Sequence, residues 1–295
     1  MKSKQRIKEA RTAWIFITPY LIGYLIFHFT PVLISLVLSF TNIRYISKLD
    51  ALKFIGLSNY VEMFGDPDFL GAVGNSFAFT LIYVPLVMLI GLLLAVLINQ
   101  NIYQRNLIRS MIFMPYVSNM VAIAVVWSLI LDPISGPVNA FLKSIGLKTL
   151  PMWMMSSDSA LITVVLIAIW HDVGFQFITF LAALQGVPME LKEAAAIDGA
   201  SPWKIFLHVT IPSIMPTIFL MTITSITTSL KNFTIIQVLT EGGPGSSTVV
   251  LPLNIVQTAF SSMRMGYACA QSIMMLILIM AITVFQWNMQ KKYQD

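Results

Sequence analysis

Charged residues are scarce in this sequence. They make up 11% of the 295 residues, against about 25% in soluble domains. So little charge cannot clothe a water-soluble surface, and 57% of the residues are hydrophobic. Lipid must therefore cover much of the protein. Cysteine is nearly absent: Cys269 stands alone in an apolar run, which excludes an internal disulfide. His28, His171 and His208 are scattered without metal-ligand spacing, so no metal is expected. No Gly-x-x-x-x-Gly-Lys-Ser/Thr phosphate loop occurs, and the chain is not expected to hydrolyse a nucleotide itself. His-Glu-x-x-His and Gly-x-Ser-x-Gly are missing too, as is any nucleophile–base constellation, so no catalytic residue is named. The net charge of +5 is too modest to suggest nucleic-acid binding.

What is present is long apolar runs. Crossing a bilayer takes roughly 20 mostly apolar residues. Residues 14–40, 69–104 and 265–290 are such runs, interrupted in the second only by the polar stretch before residue 104, and 110–131 is a fourth. Two more, 159–184 and 211–240, hold one charge each, Asp172 and Lys231. These runs predict an all-α polytopic bundle of six transmembrane helices. The first run is too long for a cleaved signal and lacks a clear small-residue cleavage site, so it is read as a retained span. Pro19, Pro31, Pro85 and Pro115 lie in or near spans and are read as kinks, since neighbouring helices can re-satisfy the freed carbonyls.

Loop charge orients the bundle. With a cytosolic N-terminus the inside segments are 1–13, 99–109, 185–210 and 290–295. Their density of Lys and Arg is roughly three times that of the outside loops, which places both termini in the cytosol. Lys2, Lys4, Arg6, Lys8 and Arg11 carry much of the bias and read as a topology anchor. The layout is a cytosolic tail 1–13, a permeation domain 14–289 with a cytosolic loop 185–210, and a cytosolic tail 290–295.

The loop 185–210 is the most informative segment. Glu190 to Ile197 are good helix formers after Pro188. Asp198-Gly199 reads as a helix stop, with the glycine free to take the left-handed conformation. Ser201 can cap a second helix with Pro202 at its first position, and Trp203, Phe206 and Leu207 then share one face. A helix lying on lipid headgroups would need a basic face and a bulky apolar one. The first loop helix instead offers alanines flanked by acids, the composition of a knob that lets another protein come close.

Glu193-Ala194-Ala195, then Gly199, Val209, Ile211 and Pro212 at fixed spacing, resemble the signature of ABC-importer permeases: Glu-Ala-Ala, Gly, Ile and Leu-Pro. Val209 and Ile211 depart mildly from it. The string Glu193 to Ala200 is similar to the sugar-importer branch, and Leu239-Thr240-Glu241-Gly242-Gly243-Pro244 leading to Thr248 resembles a turn of maltose-type and multiple-sugar permeases. Phe260 to Ala270 resembles the entry to the last span of that family, and Pro31 to Phe40 also resembles it. The layout resembles the shorter, six-span form.

The resemblance implies several partners: a second homologous permease, a cytosolic ATPase dimer that binds ATP and magnesium, an extracytoplasmic solute-binding protein, and a carbohydrate substrate. It implies no cofactor in this chain, and it implies a multi-pass protein of a prokaryotic cytoplasmic (inner) membrane, surrounded by lipid. The surface expected to couple to the ATPase comprises Glu190, Glu193, Ala194, Ala195, Asp198, Gly199, Pro202 and Phe206.

A sugar needs polar partners and flat aromatic faces, and polar residues inside a bilayer often mark such a pathway. Trp170, Gly174 and Phe177 share a helix face, and Ser225, Thr228, Ser229 and Asn232 form a polar stripe. These positions also resemble stretches that line the sugar cavity of the maltose permease. Hydrogen bonding between helices is the other reading of the small polar residues. Asp172 and Lys231 are expected to pair, to line the pathway or to snorkel toward the outer interface, and His171 to sit in helix packing. The competing function is a secondary transporter of a polar solute driven by an ion gradient, which would often show an inverted repeat; no convincing internal repeat is seen.

The charge bias makes a direct expectation. In a chain with Cys269 replaced by alanine, cysteine at Ser201 labels only from the cytosol and cysteine at Ser246 only from outside. Labelling of both from one side would sink the six-span layout.

Overall fold

The computed structural model describes residues 2–44, 52–100 and 103–294. The side chains of Lys2, Lys4, Arg6 and Lys8, and those of the tail 290–295, lie outside the described part. Among the described residues the regular structure is all helical, apart from one isolated bridge between Thr41 and Phe54. In chain order come α1 (Lys2–Tyr24), a π-helical turn (Leu25–Phe29), α2 (Thr30–Leu38), α3 (Ser58–Met63) and α4 (Pro67–Ile98). Next are α5 (Arg105–Val117), α6 (Met120–Ile130), α7 (Pro137–Ser144) and α8 (Ser157–Gln185). Then come α9 (Met189–Ile197), α10 (Pro202–Ile205), a π-helical turn (Phe206–Thr210) and α11 (Ile211–Leu230). The last are α12 (Thr234–Leu239), α13 (Leu251–Val256) and α14 (Met265–Gln294). Helices suit these apolar runs because lipid offers no partner to an open backbone.

Five helical segments are long and apolar enough to cross a membrane: Arg11–Leu38, Pro67–Ile98, Ser157–Gln185, Pro202–Leu230 and Met265–Met289. A sixth would be α5 with α6, which are bent by 97° where they meet. The continuous helix expected over 110–131 is therefore corrected to two helices that meet at a sharp bend. Pro115 lacks an N–H for the last turn of α5, and Ser118 is extended. Asn119 then caps α6, its Oδ1 accepting from the N–H groups of Val121 at 2.9 Å and Ala122 at 3.3 Å. The fifth span is corrected too. It ends at Leu230 and does not continue to 240, and it already begins at Pro202, so the second loop helix and the span are one bent rod. The segment 1–13, expected as a tail, is helical from Lys2 and continuous with the first span.

The chain forms two compact units. One contains residues 1–66 and 255–278. Here Asn59 Nδ2 donates to the carbonyls of Ser39 (2.8 Å) and Thr41 (3.0 Å), closing the end of the first span. Arg264 pairs with Glu62 at 2.6 Å and covers the Tyr267 ring, and the Tyr267 hydroxyl donates to Asp66. The hydrogen bond to Glu62 raises the Arg264 pKa above its usual value.

The other unit contains residues 67–254 and 279–295. Its core is the seam of α4 with α8: Phe79, Tyr83, Val84 and Val87 pack against Val164, Ile167 and Ala168. Gly91 makes the close approach possible, since a Cβ there would meet Gln176 Cβ at 2.6 Å. Nearer Ile98, a second cluster joins Ala95 and Ile98 to Phe177, Phe180, Leu184, Ile214 and Met221, drawing in α11. The turn after α12 is tied to the start of α4, where Asn75 Nδ2 donates to the carbonyls of Ser246 (2.9 Å) and Val249 (3.0 Å).

Gly91→Leu should cost about 1–3 kcal/mol of stability by overpacking this seam. Gly71→Ala, where a Cβ meets open space, should cost nothing. Thermal unfolding of the purified chain in detergent measures both, and equal shifts would mean that the seam does not limit stability.

Candidate functional site

The loop after α8 is anchored before it is displayed. Val187 is buried and packs with Leu184, Ile98 and Ile214, so the loop is wedged into the cluster that joins α4, α8 and α11. Beyond it α9 stands out from the bundle, with Glu190, Glu193, Ala194 and Asp198 exposed and Ala195 half-buried.

Gly199 ends α9 as its sequence requires. Its φ is +78°, its N–H bonds the Ala196 carbonyl at 3.0 Å, and the Ala200 N–H bonds the Ala195 carbonyl at 3.0 Å. This pair of bonds is the Schellman termination, with the left-handed residue at C′. Nothing lies within 4 Å of where a Cβ would sit. A side chain would therefore suffer from backbone conformation and not from crowding. Ser201 Oγ accepts from the Lys204 N–H at 3.4 Å, and Pro202 opens α10. Trp203 and Phe206 stack with ring centroids 5.7 Å apart.

Between α9, α10 and the end of α4 lies a groove of about 430 Å³, bordered by Glu193, Lys192, Ala196, Phe206, Asn99 and Gln100. At the end of α9 stands the residue that sequence reasoning missed: Ile197 is 87% exposed. One helical turn after Glu193, it makes the knob more apolar than its alanines suggested; the spacing was there to find it. Trp203, recognised only as part of a face, is 67% exposed.

The residues expected along a pathway fall in two settings. Gly174 is buried where α5 crosses, since a Cβ would meet the Ile112 carbonyl oxygen at 2.6 Å. Phe177 is fully buried. Ser225 accepts from Gln176 Nε2 at 2.8 Å, and Ser229 donates to Thr80 Oγ1 at 2.9 Å. These four positions sit in helix packing, where small polar groups find partners on neighbouring helices. Asn232 does not continue the helical stripe, because α11 ends at Leu230; it lies half-buried in the connection to α12. Trp170 and Thr228 are exposed. Trp170 meets Trp127 edge-on and borders an apolar groove with Ile90, Ile112 and Leu166.

The expected pair of Asp172 with Lys231 is not formed. Asp172 accepts from the Tyr83 hydroxyl at 2.7 Å and pairs with His171 Nδ1 at 2.6 Å, whereas Lys231 is exposed. His171 Nε2 lies 3.4 Å from the Ser118 carbonyl oxygen, at the break between α5 and α6. This chain of bonds joins α4, α8 and the bend between α5 and α6, and it satisfies a carboxylate that lipid could not.

Residues 87–294 match the family model described as binding-protein-dependent transport system inner membrane component. The probable ABC transporter permease protein YesP of Bacillus subtilis is 33% identical over 96% of this chain and 91% of that protein. The lactose transport system permease protein LacF of Rhizobium radiobacter is 33% identical over 93% of this chain and 92% of that protein. The fold is that of a chain in a bacterial alginate ABC transporter, crystallised in complex with its alginate pentasaccharide-bound periplasmic protein. The TM-score is 0.85 at 23% identity, covering 98% of this chain and 96% of that one.

Asp172→Ala should cost roughly 3–5 kcal/mol, because it strands two buried partners. Lys231→Ala should stay within about 0.5 kcal/mol. Thermal unfolding in detergent reads both, and similar losses would restore the Asp172–Lys231 pair.

Proposed function

Because the chain belongs to the family of binding-protein-dependent transport system inner membrane components, we propose that it is a permease subunit of an ATP-driven carbohydrate importer working by alternating access. The exposed, rigidly terminated loop α9–α10, wedged into the bundle by Val187, is the observation that carries the coupling role. An ATPase dimer docks on Glu190, Glu193, Ala194, Asp198 and the Ile197 knob. ATP and magnesium are bound by that partner, and no cofactor is assigned to this chain. Movement of the docked surface passes directly into the fifth span, since α10, the π-helical turn and α11 form one rod.

A second, homologous permease completes the pathway, and a solute-binding protein delivers the substrate from outside. Both termini are cytosolic, in the inner membrane, on the basis of the loop charges. The lactose relative and the alginate transporter with its pentasaccharide-bound periplasmic protein support carbohydrate as the substrate class. Within this chain the residues best placed to meet it are Thr228 and Asn232 near the end of α11, with Trp170 as an aromatic face. Gly174, Phe177, Ser225 and Ser229 hold the helices that present them.

Coupling is tested at the loop. At Gly199 a β-branched side chain would be strained by roughly 1–2 kcal/mol and would re-aim α9, and Glu193→Lys reverses the charge of the docking face. Gly199→Val and Glu193→Lys should both give a full-length, correctly inserted protein. Its ATPase partner should co-purify weakly or lose stimulation by the loaded binding protein. Normal co-purification and stimulation in both variants would remove this loop from the mechanism.

A further inference from the structure

We propose that Arg105 and Arg109 form a binding site for a phosphate-bearing anion, and that its occupant is the phosphodiester headgroup of an anionic phospholipid. The two arginines are one turn apart at the start of α5. With the Gln185 amide turned so that its oxygen faces them, Nη2 of Arg105 and Nη2 of Arg109 both donate to that one oxygen, the latter at 2.8 Å. Two like charges are thus gathered on a single neutral acceptor. The Nε atoms of both side chains are buried and have no hydrogen-bond partner. The ion pairs among the described residues are His171–Asp172 and Arg264–Glu62, so no carboxylate answers these two guanidinium groups.

The surroundings add to the positive potential. The first turn of α5 holds no acidic residue, and Gln104 before it supplies no side-chain cap. The uncapped N–H groups and the positive end of the helix dipole therefore lie beside the arginines. The negative end of α8 at Gln185 offsets only part of this. An oxyanion with several acceptor oxygens satisfies such a fork of donors far better than one amide oxygen does.

The location favours a lipid as the source. Arg105 begins the bent pair α5–α6 and Gln185 ends a candidate span, the kind of position at which headgroups meet a bundle. Gln185 is exposed, which leaves the site open to the bilayer edge. Basic pockets between spans on the cytosolic side are suited to anionic headgroups. Only the choice of leaflet rests on the orientation proposed above, which cysteine labelling tests separately; anion binding does not depend on it.

The test uses the assembled transport complex in nanodiscs containing phosphatidylcholine with a minor fraction of phosphatidylglycerol. Native mass spectrometry counts the lipids that stay bound. Arg105→Gln with Arg109→Gln removes the site. Gln185→Glu keeps both arginines but supplies an internal carboxylate that competes with the ligand, so the proposal stays testable if the double variant inserts poorly. Phosphatidylglycerol retention should fall on the order of tenfold in each, with phosphatidylcholine retention unchanged. A second arm adds inorganic phosphate to complexes in phosphatidylcholine alone. A rise in melting temperature for the wild type but not for Gln185→Glu, with no difference in lipid retention, would keep the anion site and reassign its occupant to soluble phosphate. Equal retention and equal melting in wild type and Gln185→Glu would overturn the site. Loss of the ATPase from Gln185→Glu with unchanged lipid retention would overturn it as well, assigning the arginines to a protein carboxylate.

Discussion

The close contact of α4 with α8 at Gly91 and Gln176 is the constraint on which the larger unit depends. Lipid exerts no hydrophobic pressure between helices, so association relies on close packing and on bonds between polar side chains. Both occur on this seam. Gly91 lets the backbones approach, and Gln176, held in place by that approach, donates to Ser225 on α11. Thr80, on α4, accepts from Ser229, also on α11. Three helices are fixed against one another by one missing side chain and two short hydrogen bonds.

The loop after α8 is tied to this three-helix block. Val187 sits in the same cluster as Ile98, Leu184 and Ile214. A force on α9 therefore reaches α4, α8 and α11 together. The Schellman termination at Gly199 sets the angle between α9 and α10 by backbone geometry alone. An exposed knob would otherwise swing on its connection and dissipate any movement applied to it.

A second block is held by ionisable groups. Tyr83, Asp172, His171 and the Ser118 carbonyl form a continuous chain from α4 to the bend between α5 and α6. The 97° bend leaves the backbone around Ser118 outside a regular helix. Irregular backbone at membrane depth persists only where protein or water satisfies it. The His171 ring beside the Ser118 carbonyl, together with the Asn119 cap, supplies that satisfaction on the protein side.

The membrane class, the approximate spans, the stop at Gly199, the cap at Ser201 and the alanine-rich, acid-flanked composition of the loop are all legible in the chain itself. Each depends on residues close together in the chain: apolar run length, a positive-φ glycine, a serine before Pro202. Only the tertiary structure decided which polar residues face one another. Ser225 and Ser229 read as a stripe, yet whether a stripe faces a pathway or another helix depends on Gln176 and Thr80, tens to more than a hundred residues away in the chain. Asp172 found Tyr83 and not Lys231 for the same reason. The bend between α5 and α6 was hidden as well, because residues 110–131 carry no charge and hydropathy does not register direction. A polar side chain in a membrane takes whichever partner packing brings near, and that partner is fixed by how helices cross, which no local pattern records.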